Sequence, residues 1–132
     1  MPVINIYNRE KAVRYALEWA LKRNPRYYDF TNMGGDCTNF ISQCIYAGSG
    51  VMNYTPVYGW YFVSLNNRAP AWTGVKYLYN FLTTNKTRGP FASEVSVSEI
   101  MLGDVIQLGD FRGRFYHSLF VTKIIGKPSI DT

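Results

Sequence analysis

The chain is short of the residues that most metal and redox chemistry uses. Its 132 residues include one histidine, His117, and two cysteines, Cys37 and Cys44. None of them shows a CxxC or HxxxH spacing, which argues against a zinc site. No metal and no cofactor is expected. The cysteines stand seven residues apart. On a helix that places them about 10 Å apart along the axis, too far for a disulfide, which needs Cα atoms within roughly 7 Å. Both are expected to be free thiols. No apolar run reaches the ~18 residues of a membrane span, so no membrane insertion is expected. Met1 to Glu10 holds no charged segment followed by an apolar one, so no signal peptide is visible. An exported product would carry its signal outside this chain. Acidic residues are few, nine against fourteen basic, for a net charge of +5. That balance favours polyanions such as nucleic acid, anionic lipid or an anionic cell wall. The bases are scattered rather than striped and no nucleic-acid motif is present, so nucleic acid is not an expected partner. The short run Lys22 to Arg26 reads as a solvated helix end.

Apolar and aromatic residues are plentiful. They make up 47% and 17% of the chain, with eleven Tyr, eight Phe and three Trp. Such a composition supports a packed core, and the length suits one domain spanning 1–132. Asn8 caps an expected helix from Arg9 to Lys22, with Ala12, Val13, Ala16, Leu17, Trp19 and Ala20 as its apolar stripe. Asn24-Pro25 ends it. A second helix is expected from Cys37 to Tyr46, with Gly48 and Gly50 as stop signals. The aromatic stretch Val51 to Ala71 keeps no period and reads as a folded-over segment. Trp72-Thr73-Gly74 opens a third helix ending at Asn85. Ser98 to Leu102 reads as one helical turn. Val105 to Leu108 and Phe115 to Ile125 read as two strands joined by a Gly-containing turn, and Ile130 as the start of a third. Helices followed by an antiparallel hairpin give an α+β class, with N-terminal helices packed on a small antiparallel sheet.

The chemistry concentrates in Gly34-Gly35-Asp36-Cys37-Thr38-Asn39-Phe40-Ile41-Ser42-Gln43-Cys44. Two glycines permit a sharp turn. Asp36 has the side chain of an N-cap. Cys37 then falls at the first helical position, where unpaired N–H groups and the helix dipole favour a thiolate. Cys44 lies mid-helix among apolar residues and reads as core. His117, on a strand facing that helix start, can take the thiol proton and return it to a leaving amine. The Cys37 N–H, with Asn32 as a second donor, can hold an oxyanion. Asp36, Asn39 and Gln43 read as supports of the motif. A third group should orient His117; no acceptor sits obviously in reach, and Asp131, near the end of the chain, is a candidate. Trp60 and Trp72 are candidates for a substrate groove, which flat amphipathic rings often line.

Gly-Gly-Asp-Cys-Thr-Asn-Phe-Ile-Ser-Gln resembles the nucleophile motif of the putative amidase domain family, bacterial relatives of the NlpC/P60 and CHAP cysteine hydrolases. Tyr7-Asn8-Arg9 with Ala12-Val13 and Tyr15-Ala16 is similar to that family's opening helix. Ala71-Trp72-Thr73 with Val75 and Leu78 is similar to its middle tryptophan motif. Leu102-Gly103-Asp104-Val105-Ile106-Gln107 resembles its Gly-Asp turn, and His117-Ser118 with Val121-Thr122 its histidine strand. The resemblance runs along nearly the whole chain, in order. It implies a papain-like fold, Cys37 as nucleophile, His117 as general base, and an amide bond of bacterial cell-wall peptide as substrate, hence an extracellular or wall-associated protein. In such folds the residue orienting the histidine comes from the next strand. The chain stops at Ile130-Asp131-Thr132, so the resemblance implies a domain trimmed at its C-terminal end. An alternative on the same fold is a catalytically incomplete wall- or peptide-binding module.

Overall fold

The computed structural model describes residues 6–126. Ile130 and Asp131, the expected third strand and third catalytic residue, lie outside that range. The elements run α1 (Arg9–Trp19), α2 (Cys37–Ser49), β1 (Phe62–Ser64), β2 (Asn67–Arg68), α3 (Pro70–Thr73), α4 (Val75–Thr84), a 3-10 turn (Val97–Glu99), β3 (Val105–Gly109) and β4 (Phe115–Phe120). Strands β1 and β2 form one antiparallel pair and β3 and β4 another. The class is α+β, as the sequence implies. No helix among the described residues is long and apolar enough to cross a membrane.

Helix α1 begins where the Asn8 side chain accepts from the Lys11 N–H at 3.0 Å, a cap of the expected kind. It ends at Trp19, short of Lys22. Only Ala12 and Ala16 of its stripe are buried, while Leu17 is exposed. Two alanines let the helix lie close on α2 without a bulky seam. Gly48, expected as a stop signal, is instead inside α2, because Tyr7 and Asn8 press on it: an added Cβ would sit 2.4 Å from Tyr7 Cε1. Gly50 ends α2 in the left-handed region at φ 74°, its N–H bonding the Tyr46 carbonyl, a conformation glycine adopts without a Cβ penalty.

The core forms around two indoles. Trp60 and Trp72 are fully buried, 4.8 Å apart between ring centroids. Phe30, Ile41, Ile45, Phe62, Leu78 and Phe81 pack around them. This corrects the placement of Trp60 and Trp72 in a substrate groove: neither ring reaches the surface. Helix α2 answers the buried indole N–H groups with its own polar side chains. Ser42 Oγ accepts from Trp60 Nε1 at 3.1 Å and donates to the Trp72 carbonyl at 2.9 Å. Asn39 Oδ1 accepts from Trp72 Nε1 at 2.9 Å. A buried donor without such a partner would cost about 1–3 kcal/mol.

The expected third helix is two, α3 and α4, broken at Gly74, whose extended backbone gives α4 a fresh start. The segment before it folds over as the β1–β2 pair. At the C-terminal end β4 stops at Phe120, short of Ile125. The pairing runs slightly further through Val121, whose backbone exchanges hydrogen bonds with Gly103 and Asp104. The Arg9 guanidinium meets the Asp104 carboxylate at 2.6 Å and Tyr7 O–H donates to the Gly103 carbonyl at 2.9 Å. These contacts fasten the start of α1 to the start of the hairpin.

Candidate active site

The loop before Cys37 is built by one carboxylate. Asp36 Oδ1 accepts from the Phe30 N–H at 2.9 Å and from Asn39 Nδ2 at 3.0 Å. Its Oδ2 accepts from Arg23 at 3.0 Å. Gly34 and Gly35 turn the chain at φ 90° and 106°, a region open to glycine. Asp36 therefore does not cap α2 with its side chain, contrary to its expected duty. Its carboxylate is already taken by the loop and by Arg23. Among the described residues, no side chain accepts from the first-turn N–H groups of α2.

Cys37 is the first residue of α2 and is half-buried. It opens into a concavity of about 250 Å³ shared with Trp19, Arg23, Asn24, Phe40 and Gln43. Its Sγ lies 3.8 Å from Thr38 Oγ1. Cys44 is fully buried, and burial pushes its thiol well above the usual range. The two thiols thus stand in different surroundings. Asn39 is buried and also donates to the Tyr28 carbonyl at 3.0 Å, so it ties α2 to the incoming loop. Gln43 Oε1 accepts from Tyr15 O–H, binding α2 to α1. Asn32 is exposed in the turn before the glycines and makes no side-chain hydrogen bond among the described residues. A second concavity, about 370 Å³, lies at Arg68, Thr73, Gly74 and Tyr77 and includes neither Cys37 nor His117.

His117 lies in β4 opposite Leu108 of β3 and is half-buried. Its neighbour Ser118 is buried and meets Thr38 Oγ1 at 3.4 Å. The start of α2 and the middle of β4 therefore adjoin. Successive strand side chains face opposite ways: Ser118 takes the side toward Thr38, and His117, one position earlier, takes the other, so the expected facing of His117 and the α2 start is not made. No hydrogen bond joins Cys37 and His117. The pair Thr38 and Ser118, one residue after each candidate catalytic group, is the part of the site that sequence reasoning missed. The signal was present as a small hydroxyl following both Cys37 and His117. Arg23, assigned to a solvated helix end, holds Asp29 at 3.2 Å as well as Asp36.

The fold is an α+β domain with a half-buried free thiol at the first position of α2. The chain belongs to the putative amidase domain family, whose model matches residues 6–130. That membership points to amide hydrolysis. A Bacillus subtilis (strain 168) protein, named uncharacterized protein YhbB, is 36% identical over 118 residues, which is 87% of this chain. The match spans 37% of that relative's own length. No solved structure matches the chain.

Proposed function

We propose that this domain is a cysteine hydrolase that cleaves an amide bond in bacterial cell-wall peptide through an acyl-enzyme. The observation that carries the reading is Cys37, half-buried at the first position of an α2 whose N-cap residue, Asp36, makes no side-chain cap bond. His117 takes the proton from Sγ, and the sulfur attacks the amide carbonyl carbon. The oxyanion accepts from the free N–H groups at the start of α2, with Asn32 on the preceding turn as a further donor. Collapse breaks the C–N bond, and His117 returns its proton to the leaving amine. A water then gives a proton to His117 and its oxygen to the thioester. The carboxylic acid leaves and Sγ recovers its proton. His117 stands on the face of β4 away from Thr38, so the reaction requires the histidine strand to turn its ring toward Cys37 when substrate binds. The fold is papain-like, related to the NlpC/P60 and CHAP hydrolases, and the protein works outside the cell or at the wall.

The unmade Cys37–His117 bond favours a second reading, a wall- or peptide-binding module that has lost turnover. One digest separates the two. Purified cell wall is incubated with the native protein, Cys37→Ala and His117→Ala, and new amino ends are identified. Hydrolysis requires new ends from the native protein alone. Equal release by Cys37→Ala defeats the cysteine mechanism, and wall binding by all three with no release selects the module.

A further inference from the structure

A buried polar chain runs from the hairpin to the Cys37 sulfur. Gln107 of β3 donates through Nε2 to the Val75 carbonyl at 3.1 Å and to Ser118 Oγ at 3.4 Å. Ser118 Oγ lies 3.4 Å from Thr38 Oγ1, and Thr38 Oγ1 lies 3.8 Å from Cys37 Sγ. Thr38 and Ser118 are almost completely buried, so water does not compete for their hydroxyls.

The direction of this chain is set by chemistry. The Val75 carbonyl only accepts, so the Gln107 atom beside it is the nitrogen. An amide nitrogen only donates. Ser118 Oγ therefore accepts from Gln107, and its single hydrogen is left for Thr38. Thr38 Oγ1 then accepts, and its single hydrogen is left for the sulfur. Gln107 Oε1 is meanwhile buried with no partner among the described residues. Leaving a buried acceptor unpaired costs stability. The structure bears that cost while both amide donors stay aimed at Val75 and Ser118.

We propose that Gln107, Ser118 and Thr38 form a one-way hydrogen-bond relay that ends by donating to Cys37 Sγ and so favours the charged sulfur. The proposal rests on Cys37 being the nucleophile. Thr38 touches the reacting atom, while Ser118 and Gln107 are positioning residues that act through it. No proton changes owner along the chain. The links are longer than ordinary hydroxyl hydrogen bonds, and they shorten when the sulfur is charged, because charge-assisted bonds are shorter.

The test is alkylation by iodoacetamide, followed at the Cys37 peptide by mass spectrometry. The rate at pH 7 is divided by the plateau rate at high pH, which reports the charged fraction free of access effects. Thr38→Val and Ser118→Ala are expected to lower that ratio by about three- to tenfold, the worth of one ordinary hydrogen bond, while Thr38→Ser keeps it. Thermal melts check that each variant folds. Ser118→Ala adds no bulk and carries the test if Thr38→Val fails to fold. Unchanged ratios in folded variants, with native Cys37 reactive at pH 7, overturn the relay and leave the nucleophile standing. Native Cys37 as sluggish at pH 7 as an ordinary thiol overturns both.

Discussion

Replacing Asn39 with alanine tests whether the loop before Cys37 is held as described. The Asn39 side chain is fully buried and makes three hydrogen bonds, to the Tyr28 carbonyl, the Asp36 carboxylate and the Trp72 indole. Truncation leaves the Trp72 N–H in the core with no acceptor, about 1–3 kcal/mol by itself. The lost bonds to Tyr28 and Asp36 and the small void add to this, for a total of about 3–4 kcal/mol. That is a large part of the 5–15 kcal/mol that ordinary domains possess. Urea unfolding followed by tryptophan fluorescence reads it directly. With a slope of about 1–3 kcal/mol per molar, the midpoint falls by roughly 1–4 M. Asn39→Asp keeps the acceptor for Trp72 but faces the Tyr28 carbonyl and Asp36 with a second carboxylate, so it is expected to be no milder. A loss below about 1 kcal/mol for Asn39→Ala, within the range of a surface change, refutes the idea that this side chain joins loop, helix and core.

Three further outcomes follow from named contacts. Ser42→Ala strands the Trp60 N–H and the Trp72 carbonyl together. It should cost about 2–3 kcal/mol in the same urea assay, and a neutral result would mean the indole pair does not need its hydroxyl bridge. Gly48→Ala drives a methyl to 2.4 Å from Tyr7 and 2.8 Å from the Asn8 carbonyl. It should lower stability by about 1–3 kcal/mol, read by thermal melting, whereas Gly50→Ala strains the backbone but clashes with nothing. Burial pushes the Tyr7 and Tyr15 phenols above their ordinary value. Unfolded tyrosine ionises near pH 10, so this stabilisation is whole below about pH 10 and is lost as pH rises beyond it. Urea midpoints that stay flat from pH 8 to 11 would contradict the burial of those rings.

Much of the local structure was legible because single residues dictate it. Asn8 fixes the start of α1, the Gly34-Gly35 turn fixes the start of α2 at Cys37, and Gly50 fixes its end. What the sequence hid depends on contacts distant along the chain. Gly48 looks like a stop until Tyr7 and Asn8 are packed against it. Asp36 looks like a cap until Phe30, Asn39 and Arg23 claim its oxygens. Trp60 and Trp72 look amphipathic until Ser42 and Asn39 satisfy their N–H groups inside the core. Val75, Leu78, Tyr79 and Leu82 stand at helical spacing and all lie in α4, but Gly74 splits the helix expected to start at Trp72. At the site, Cys37 at a helix start beside a histidine strand was readable. The Thr38–Ser118 contact that joins the two was not, since pairing them requires knowing that α2 lies on β4.

The central claim is that Cys37 carries the chemistry, and alkylation at that sulfur tests it most directly. The native domain is modified stepwise with iodoacetamide, the modified fraction is mapped by mass spectrometry, and amide hydrolysis of purified wall is measured at each step. Activity is expected to fall in proportion to Cys37 modification and to reach zero while Cys44 is still untouched. Full hydrolysis by protein whose Cys37 is completely alkylated would contradict it.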